Sequence, residues 1–433
     1  MTDFHTAPID STSAATLARS GLLYDLVDTA DRAAFDPWML ADARGFHSSV
    51  MTPEELAAMV TGLAYRRTTG VWDGSALDAS TPVATVSSWP TPMTVPGQRS
   101  VEAWAISSVT VAPTHRRQGI ARALLEGELR TAVDLHLSLA ILTVSESTIY
   151  GRFGFAPGAF ASRITIDTRR TRFAGPPTVG RVQFITPQQF REQVEPMHER
   201  IRLQSPGQVP AWPLRWDQIA GLVTDNPERS KALRAVRFDN AEGALEGLAL
   251  YRVTGADNDF SGHTLSVEFF ASETPDAYVG LWRYLLEVDL VTTVTADLRS
   301  PDEPMLWLLT DRRAAKLETW DHLWLRILDV PGALEARGWS TDGSWVFEVT
   351  DDLGFAAGRF ALTVTDGVGT VTPSTESPSA VVTINALSAL YLGGVAASTL
   401  AAAGMIDEVA PGAIAALDTA FHGPQLPWLS IWF

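Results

Sequence analysis

The chain has 433 residues, 33 basic against 50 acidic for a formal charge of −17, no cysteine, and 46% hydrophobic residues. These counts exclude disulfides, thiolate metal sites and a cysteine nucleophile, and the net field repels nucleic acid and anionic membranes. With 14 tryptophans to bury, the chain is no disordered protein, and its length suits two or three domains.

Met1 to Ala18 has no basic start followed by an apolar core, and no apolar run reaches the roughly 18 residues that span a bilayer. A cytoplasmic location without membrane insertion is expected. The first 20 residues are polar and rich in Ser, Thr and Ala, and are expected to fray. Tyr24 to Val27 reads as a strand, and Asp31 to Ala43 as a helix carrying Phe35, Trp38, Met39 and Leu40. Thr52-Pro53-Glu54-Glu55 starts a second helix, with Thr as cap and Pro in the first turn; Leu56, Met59, Val60 and Leu63 form its core face. Val83 to Trp89 is a strand, and Pro90 to Ser100 reads as a Pro/Gly loop.

The informative stretch is Ser107 to Phe155. Ser107 to Val111 is a β-branched strand that Pro113 should end, and Thr114-His115-Arg116-Arg117-Gln118-Gly119 is a short basic turn. From Ile120 to about Val133, Ala121, Leu124, Leu125, Leu129 and Ala132 recur at helical spacing. Leu137 to Val144 follows as a nearly all-apolar strand. A helix opening out of such a turn offers uncommitted N–H groups and the positive end of its dipole, and Gly119 lets an anion reach the main chain. The expected ligand is a phosphate or pyrophosphate.

Arg169 to Pro187, with Pro176-Pro177 and two glycines, marks a boundary. Beyond it Leu265 to Phe270 is a strand, Thr274-Pro275-Asp276 begins a helix, and Val291 to Leu298 is another strand, with no basic Gly turn between the first strand and the helix. Glu192, Glu195, His198 and Glu199 lie around Pro196 and contain only one His, so they read as a solvated helical face and no metal is expected. In the last third, strands at Trp324 to Leu328, Ser344 to Val349, Arg359 to Val364 and Ala380 to Ile384 surround helices starting near Pro331 and Leu387, and Ser398 can cap another. Leu387, Leu390, Tyr391 and Leu400 fit a self-contained core better than a lipid site. Pro424 to Phe433 is too apolar for an idle tail and should be tucked in.

Arg116-x-x-Gly119-x-Ala121 matches the (Gln/Arg)-x-x-Gly-x-(Gly/Ala) signature of the GCN5-related N-acetyltransferases (GNATs). Val111 to Gly119, Ser145-Glu146-x-x-Ile149-Tyr150-Gly151-Arg152-Phe153-Gly154-Phe155, Leu323 to Gly338 and Leu390 to Ala402 together resemble the Eis (enhanced intracellular survival) branch of that superfamily. The resemblance implies an α+β fold with tandem GNAT-like domains, 1–178 and a degenerate 179–315, then a sterol-carrier-protein-like domain, 316–433. It implies acetyl transfer from acetyl-CoA to primary amines, aminoglycosides and lysine-like amines among them, by a homohexamer.

The resemblance also assigns residues. Main-chain groups of Val109, Thr110 and Val111 pair with the pantetheine amides, Arg116, Arg117, Gln118, Gly119, Ile120, Ala121 and Arg122 form the pyrophosphate turn, and Ser145 and Glu146 border the pantetheine arm. Tyr150 is the expected general acid and the carboxylate of Phe433 the general base, with Phe46 and Trp432 as an aromatic wall for the amine. Rival readings are an acyltransferase for longer acyl-CoA donors and a non-enzymatic carrier of apolar ligands.

Overall fold

The computed structural model describes residues 3–223, 226–256 and 259–433; Met1 and Thr2, expected to open the first domain, lie outside them. The chain forms two compact units: one takes in residues up to Ala159, His322–Pro427 and Phe433, the other Phe160–Asp321 and Trp428–Trp432. No helix among the described residues is long and apolar enough to cross a membrane.

The first unit opens with helix α1 (Ser11–Ala18), strand β1 (Leu22–Leu26), helices α2 (Arg32–Gly45) and α3 (Pro53–Leu63), and strands β2 (Arg67–Asp73), β3 (Ala84–Val95) and β4 (Arg99–Val111). Helix α4 (Ile120–Asp134) and strand β5 (Leu139–Thr143) follow. Thr52 caps α3 as the Thr-Pro-Glu-Glu run predicts, and Glu55 completes a capping box with it. Strands β1 to β4 are antiparallel neighbours, and β4 pairs with β5 in parallel. Leu124, Leu125 and Leu129 of α4 are fully buried against Trp104, Ala140 and Leu142, each burial contributing about 1.5–3 kcal/mol.

Two expectations fail here. The described N-terminal residues from Asp10 on are packed rather than frayed: Asp10 caps α1, the Ser13 hydroxyl donates to the Ala123 carbonyl of α4 (2.6 Å), Arg130 pairs with Asp10 (2.9 Å), and Leu17 is buried. Small residues are there because the two helices pack closely, Ser13 against Gly127. Nor is Pro90 to Ser100 a loop, because β3 runs through Pro90 and Pro92 to Val95 and turns tightly into β4. Pairing of β2 with β3 stops at Ser88. The two prolines, at i and i+2, place their missing donors on the edge that β2 has left, where no bond is lost. At the tip of this hairpin Gly97, with φ +85, lies so close to Gly338 that a Cβ on either would sit within 2.8 Å of the other's Cα. There the Gly338 N–H donates to the Pro96 carbonyl (2.7 Å).

The second unit comprises most of β6 (Ala156–Asp167), then β7 (Arg181–Ile185), helices α5 (Pro187–Ile201), α6 (Pro213–Ile219) and α7 (Pro227–Ala232), strands β8 (Leu233–Asp239), β9 (Leu245–Ala256) and β10 (Asp259–Ser272), helix α8 (Pro275–Leu286) and β11 (Val291–Arg299). Its strands run in the order β6-β11-β10-β9-β8-β7, and among the described residues of these strands only β10 and β11 pair in parallel. Helix α8 therefore connects parallel strands as α4 does. Its start is already satisfied: the Thr274 hydroxyl accepts the Ala277 amide, and Asp276 brings negative charge into the first turn. An anion gains nothing there. The expected solvated face on α5 is also wrong in part, because His198 and Met197 are buried, His198 against the Trp216 ring (5.1 Å).

After β12 (Ala315–Ile327), whose residues from His322 belong to the first unit, come α9 (Val330–Ala336), β13 (Gly343–Thr350), β14 (Gly358–Thr365), β15 (Val368–Pro373), β16 (Ala380–Thr383), α10 (Ile384–Leu390), α11 (Ala397–Ala402), β17 (Ile406–Glu408) and α12 (Ala413–Phe421). Strand β12 runs antiparallel to β5. The last five strands form a separate sheet in the order β15-β14-β13-β16-β17. Ser398 does not cap α11: Ala396 occupies the cap, and the Ser398 amide donates to Asp418 (3.1 Å). Leu387, Leu390, Tyr391 and Leu400 are buried, and the Tyr391 hydroxyl reaches the Ala333 carbonyl (3.0 Å), so these side chains are occupied as core. Leu429 and Ile431 near the end of the chain are buried, in line with a tucked-in tail.

Candidate active site

Strands β4 and β5 pair at only two positions, Trp104 with Ala140 and Ala105 with Ile141. Just beyond, β4 bulges: three steps from Ser107 to Thr110 oppose two from Ser87 to Thr85 on β3, and Ser108 takes a left-handed φ of 58°. The Thr85 hydroxyl accepts this distortion by donating to the Ser108 carbonyl (2.8 Å). Ala112 donates its amide to Val83 (2.7 Å) on the β3 side, so by alternation the N–H and C=O of Val111 and Val109 face away from β3. No β5 residue pairs with that edge among the described residues. An extended amide chain can add there as a strand would.

Directly after β4, Pro113–His115 make one 3₁₀ turn, and Arg117 (φ 65°) and Gly119 (φ 79°) both take left-handed backbone. Helix α4 has no side-chain cap. Its first intrahelical bond runs from the Ala123 amide to the Gly119 carbonyl (3.0 Å), which leaves the amides of Ile120, Ala121 and Arg122 without helical acceptors. A Cβ built on Gly119 meets nothing within 4 Å, so the space in front of these amides is open. Arg116, Arg117, Gln118 and Arg122 are exposed around it. The His115 ring ties the turn down, bonding to Asp73 at the end of β2 (3.1 Å) and to Thr114 (2.8 Å). The arrangement is a basic nest of main-chain donors suited to a diphosphate, and it fits the coenzyme A group expected there.

Past β5, Ser145 and Glu146 are exposed, and Tyr150 begins a 3₁₀ turn that ends at Gly154. Tyr150 is 7% exposed, edge-on to Phe155 (6.2 Å between centroids). Burial, helped by the Glu146 charge, pushes its phenol up to about 12. It stays protonated through neutral pH.

The end of the chain meets the end of β5. The Thr143 hydroxyl donates to a Phe433 carboxyl oxygen at 2.6 Å, and the Phe433 ring packs edge-on to Trp89 (5.8 Å). The Arg66 guanidinium stacks 3.9 Å from the centre of the Trp89 ring on its way to Tyr65 (3.1 Å). Beside it Asp42 of α2 is half-buried, with Oδ1 sealed from solvent, and burial raises its carboxyl to about 6 against the lowering effect of Ser108 and Arg66. Thr143, Trp89, Arg66 and Asp42 were not singled out from sequence. The usable signal for Thr143 was a lone hydroxyl at the end of an apolar strand.

The first unit thus brings together the β4 edge, the α4 turn, Ser145, Glu146, Tyr150 and Phe433. Phe46, the C-cap of α2, is 49% exposed in the same unit, while Trp432 is 39% exposed in the second. No cluster of three or more His, Cys, Asp or Glu side chains able to hold a metal occurs among the described residues.

Comparison with known proteins places these parts in one lineage. Family models for the acetyltransferase (GNAT) domain match residues 27–158 and 208–327, and the sterol carrier protein domain matches residues 330–430. An uncharacterized N-acetyltransferase of Streptomyces avermitilis is 34% identical over 400 residues, 90% of this chain and 94% of the relative. N-acetyltransferase Eis of Mycobacterium tuberculosis is 36% identical over 339 residues, 76% of this chain and 80% of the relative. The crystal structure of Eis1 from Mycobacterium abscessus superposes with a TM-score of 0.80 at 27% identity, covering 95% of this chain and 100% of that one. Two acetyltransferase folds followed by a sterol-carrier-like domain, with relatives of this family over most of the chain, make it an N-acetyltransferase and a member of the Eis-like family of GCN5-related N-acetyltransferases.

Proposed function

We propose that the protein transfers acetyl from acetyl-CoA to primary amines, with aminoglycosides, acetylated at more than one position, and lysine-like amines as its substrate class. The observation that carries this reading is that β5 connects both reacting ends: Thr143 at its tip holds the Phe433 carboxyl, and the chain leaving it reaches Tyr150. Acetyl-CoA supplies an activated thioester. Val109 and Val111 hold its amides from the open edge of β4, with Thr110 between them turned to β3, residues Arg116 to Arg122 hold its diphosphate, and Ser145 and Glu146 flank the thioester arm.

The Phe433 carboxylate takes the proton that the amine nitrogen sheds as its bond to the acetyl carbon forms. Tyr150 gives a proton or hydrogen bond to the departing sulfur, and its phenol, held near 12, remains a donor over the whole working range. An α-carboxylate has a reference pKa of about 3.5, so it is a weak match for an ammonium of about 10, and a water between them suits the gap. Phe46 and Trp432 remain the candidate aromatic residues for the amine. The domains run 1–178, 179–315 and 316–433, and the working form is a cytoplasmic homohexamer.

Thiol release from acetyl-CoA, followed over a panel of aminoglycosides, polyamines and lysine peptides, tests the reaction; absence of turnover with every amine refutes it. Comparing acetyl-CoA with longer acyl donors tests the donor. A few residues added after Phe433 should abolish turnover, and an undiminished rate refutes the carboxylate's role.

A further inference from the structure

The turn that carries Tyr150 is held partly from outside its own domain. Its 3₁₀ segment closes on Gly154, whose amide donates to the Gly151 carbonyl (3.1 Å) and whose φ is +83°. A single side-chain amide from the sterol-carrier-like domain, Asn385 in the first turn of α10, donates to the carbonyls of both Gly151 and Phe155, each at 2.8 Å. Both acceptors are carbonyl oxygens, so only the NH₂ of the amide can serve, and its orientation is fixed.

The other side of the turn is held as firmly. The position a Cβ would take on Gly154 lies 2.7 Å from the Arg326 guanidinium carbon, so glycine is required by space as well as by φ. Arg326 is fully buried and pairs with Asp351 (2.6 Å), which also accepts the amides of Leu353 (3.2 Å) and Ala356 (2.9 Å). Leu353 and Phe355 of that same loop pack on the core cluster that contains Tyr150.

We propose that Asn385 is a positioning residue for Tyr150, and that the sterol-carrier-like domain serves acetyl transfer by fixing the turn on which the proton donor sits. The proposal rests on the reading of Tyr150 as the general acid. Two bonds from one rigid group span Gly151 to Phe155, the stretch directly after the phenol-bearing residue, so losing them lets the hydroxyl drift from the reacting sulfur. It leaves the α4 turn and the β4 edge untouched. The loss should therefore fall on kcat rather than on coenzyme binding.

The test is a cycle of four full-length proteins: wild type, Asn385→Ala, Tyr150→Phe and the double variant, with kcat from thiol release and coenzyme A affinity from calorimetry. Asn385→Ala should lower kcat about tenfold, within the range seen when reacting groups are misplaced by about 1 Å, with the Kd for coenzyme A changed less than about twofold. In the Tyr150→Phe background the same substitution should change kcat by less than about twofold, because the group it positions is gone. Losses that multiply would overturn the proposal and mark Asn385 as merely structural. Wild-type kcat in Asn385→Ala alongside a slowed Tyr150→Phe overturns this proposal alone, whereas wild-type kcat in Tyr150→Phe overturns the acid reading and this with it. Should the Ala variant not fold, Asn385→Asp keeps the shape but turns an oxygen toward the carbonyls. It should lose at least as much kcat, and full activity there also overturns the proposal.

Discussion

Replacing Thr143 by Val isolates what the end of the chain contributes. Valine keeps the β-branched shape, so the ladder of β5 with Leu323 on β12 should survive and only the hydroxyl is lost. That hydroxyl donates to the Phe433 carboxyl at 2.6 Å, and hydrogen bonds to charged groups contribute about 1.5–3 kcal/mol. Phe433 is only half-buried, so water replaces part of what is lost and the low end applies. A loss of about 1.4 kcal/mol cuts the ratio of held to released carboxyl about tenfold, and the held fraction by nearly as much where the two states are close in energy. If that carboxylate takes the amine proton, kcat should fall about tenfold while the Kd for acetyl-CoA, whose turn lies on α4, stays the same. Initial rates of thiol release at saturating acetyl-CoA and amine give the first quantity, and calorimetry the second. A folded Thr143→Val protein with wild-type kcat would refute the reasoning.

Three further outcomes follow from other parts of the molecule. Gly119→Val places a β-branched side chain at φ 79° in the open space before α4, at a local cost of about 1–2 kcal/mol, and should weaken coenzyme A binding at least about tenfold by calorimetry while amine KM is unchanged. Glu128 is fully buried and receives Arg67 (2.9 Å), Ser88 (2.6 Å) and Trp104 (3.1 Å); Glu128→Gln strands the Arg67 charge and should cost about 3–5 kcal/mol in urea unfolding. Asp42 binds its proton near 6 when folded rather than at the usual 3.8, because burial disfavours the carboxylate. Its contribution to stability is present below the unfolded value and is lost as pH rises through about 6. Asp42→Asn should thus raise Tm above pH 7 and give no gain near pH 4, and a gain that is independent of pH would contradict that cause.

What could be read from the chain was what is decided locally. The turn from Arg116 to Gly119, the helix behind it, the Thr52 cap and the helix start at Thr274-Pro275-Asp276 depend on residues within a few positions of one another, and each forms as expected. What escaped depends on where distant segments stop or arrive. Pro90 and Pro92 read as loop because nothing near them says that β2 ends at the register of Ser88. Ser398 has the chemistry of a cap, but Asp418 on α12 takes its amide. The polar start of the chain is ordered by α4, more than a hundred positions on, through Ser13 and Arg130. The site divides in the same way: the turn proposed for the coenzyme is local, whereas Thr143 and Asn385 find their partners across hundreds of residues.

The crossing of Gly97 over Gly338 has an implication for how such chains can be recombined. Two bare backbones touch there, one in the hairpin of the acetyltransferase fold and the other just after α9 of the sterol-carrier-like domain, and neither leaves room for even a methyl group. A seam of this kind cannot be softened by a neighbouring rotamer, since no side chain is present to move. Chimaeras that graft the last domain of one relative onto the first of another should fail at this seam unless both partners present a glycine at the same height, so the two domains behave as one inheritable piece.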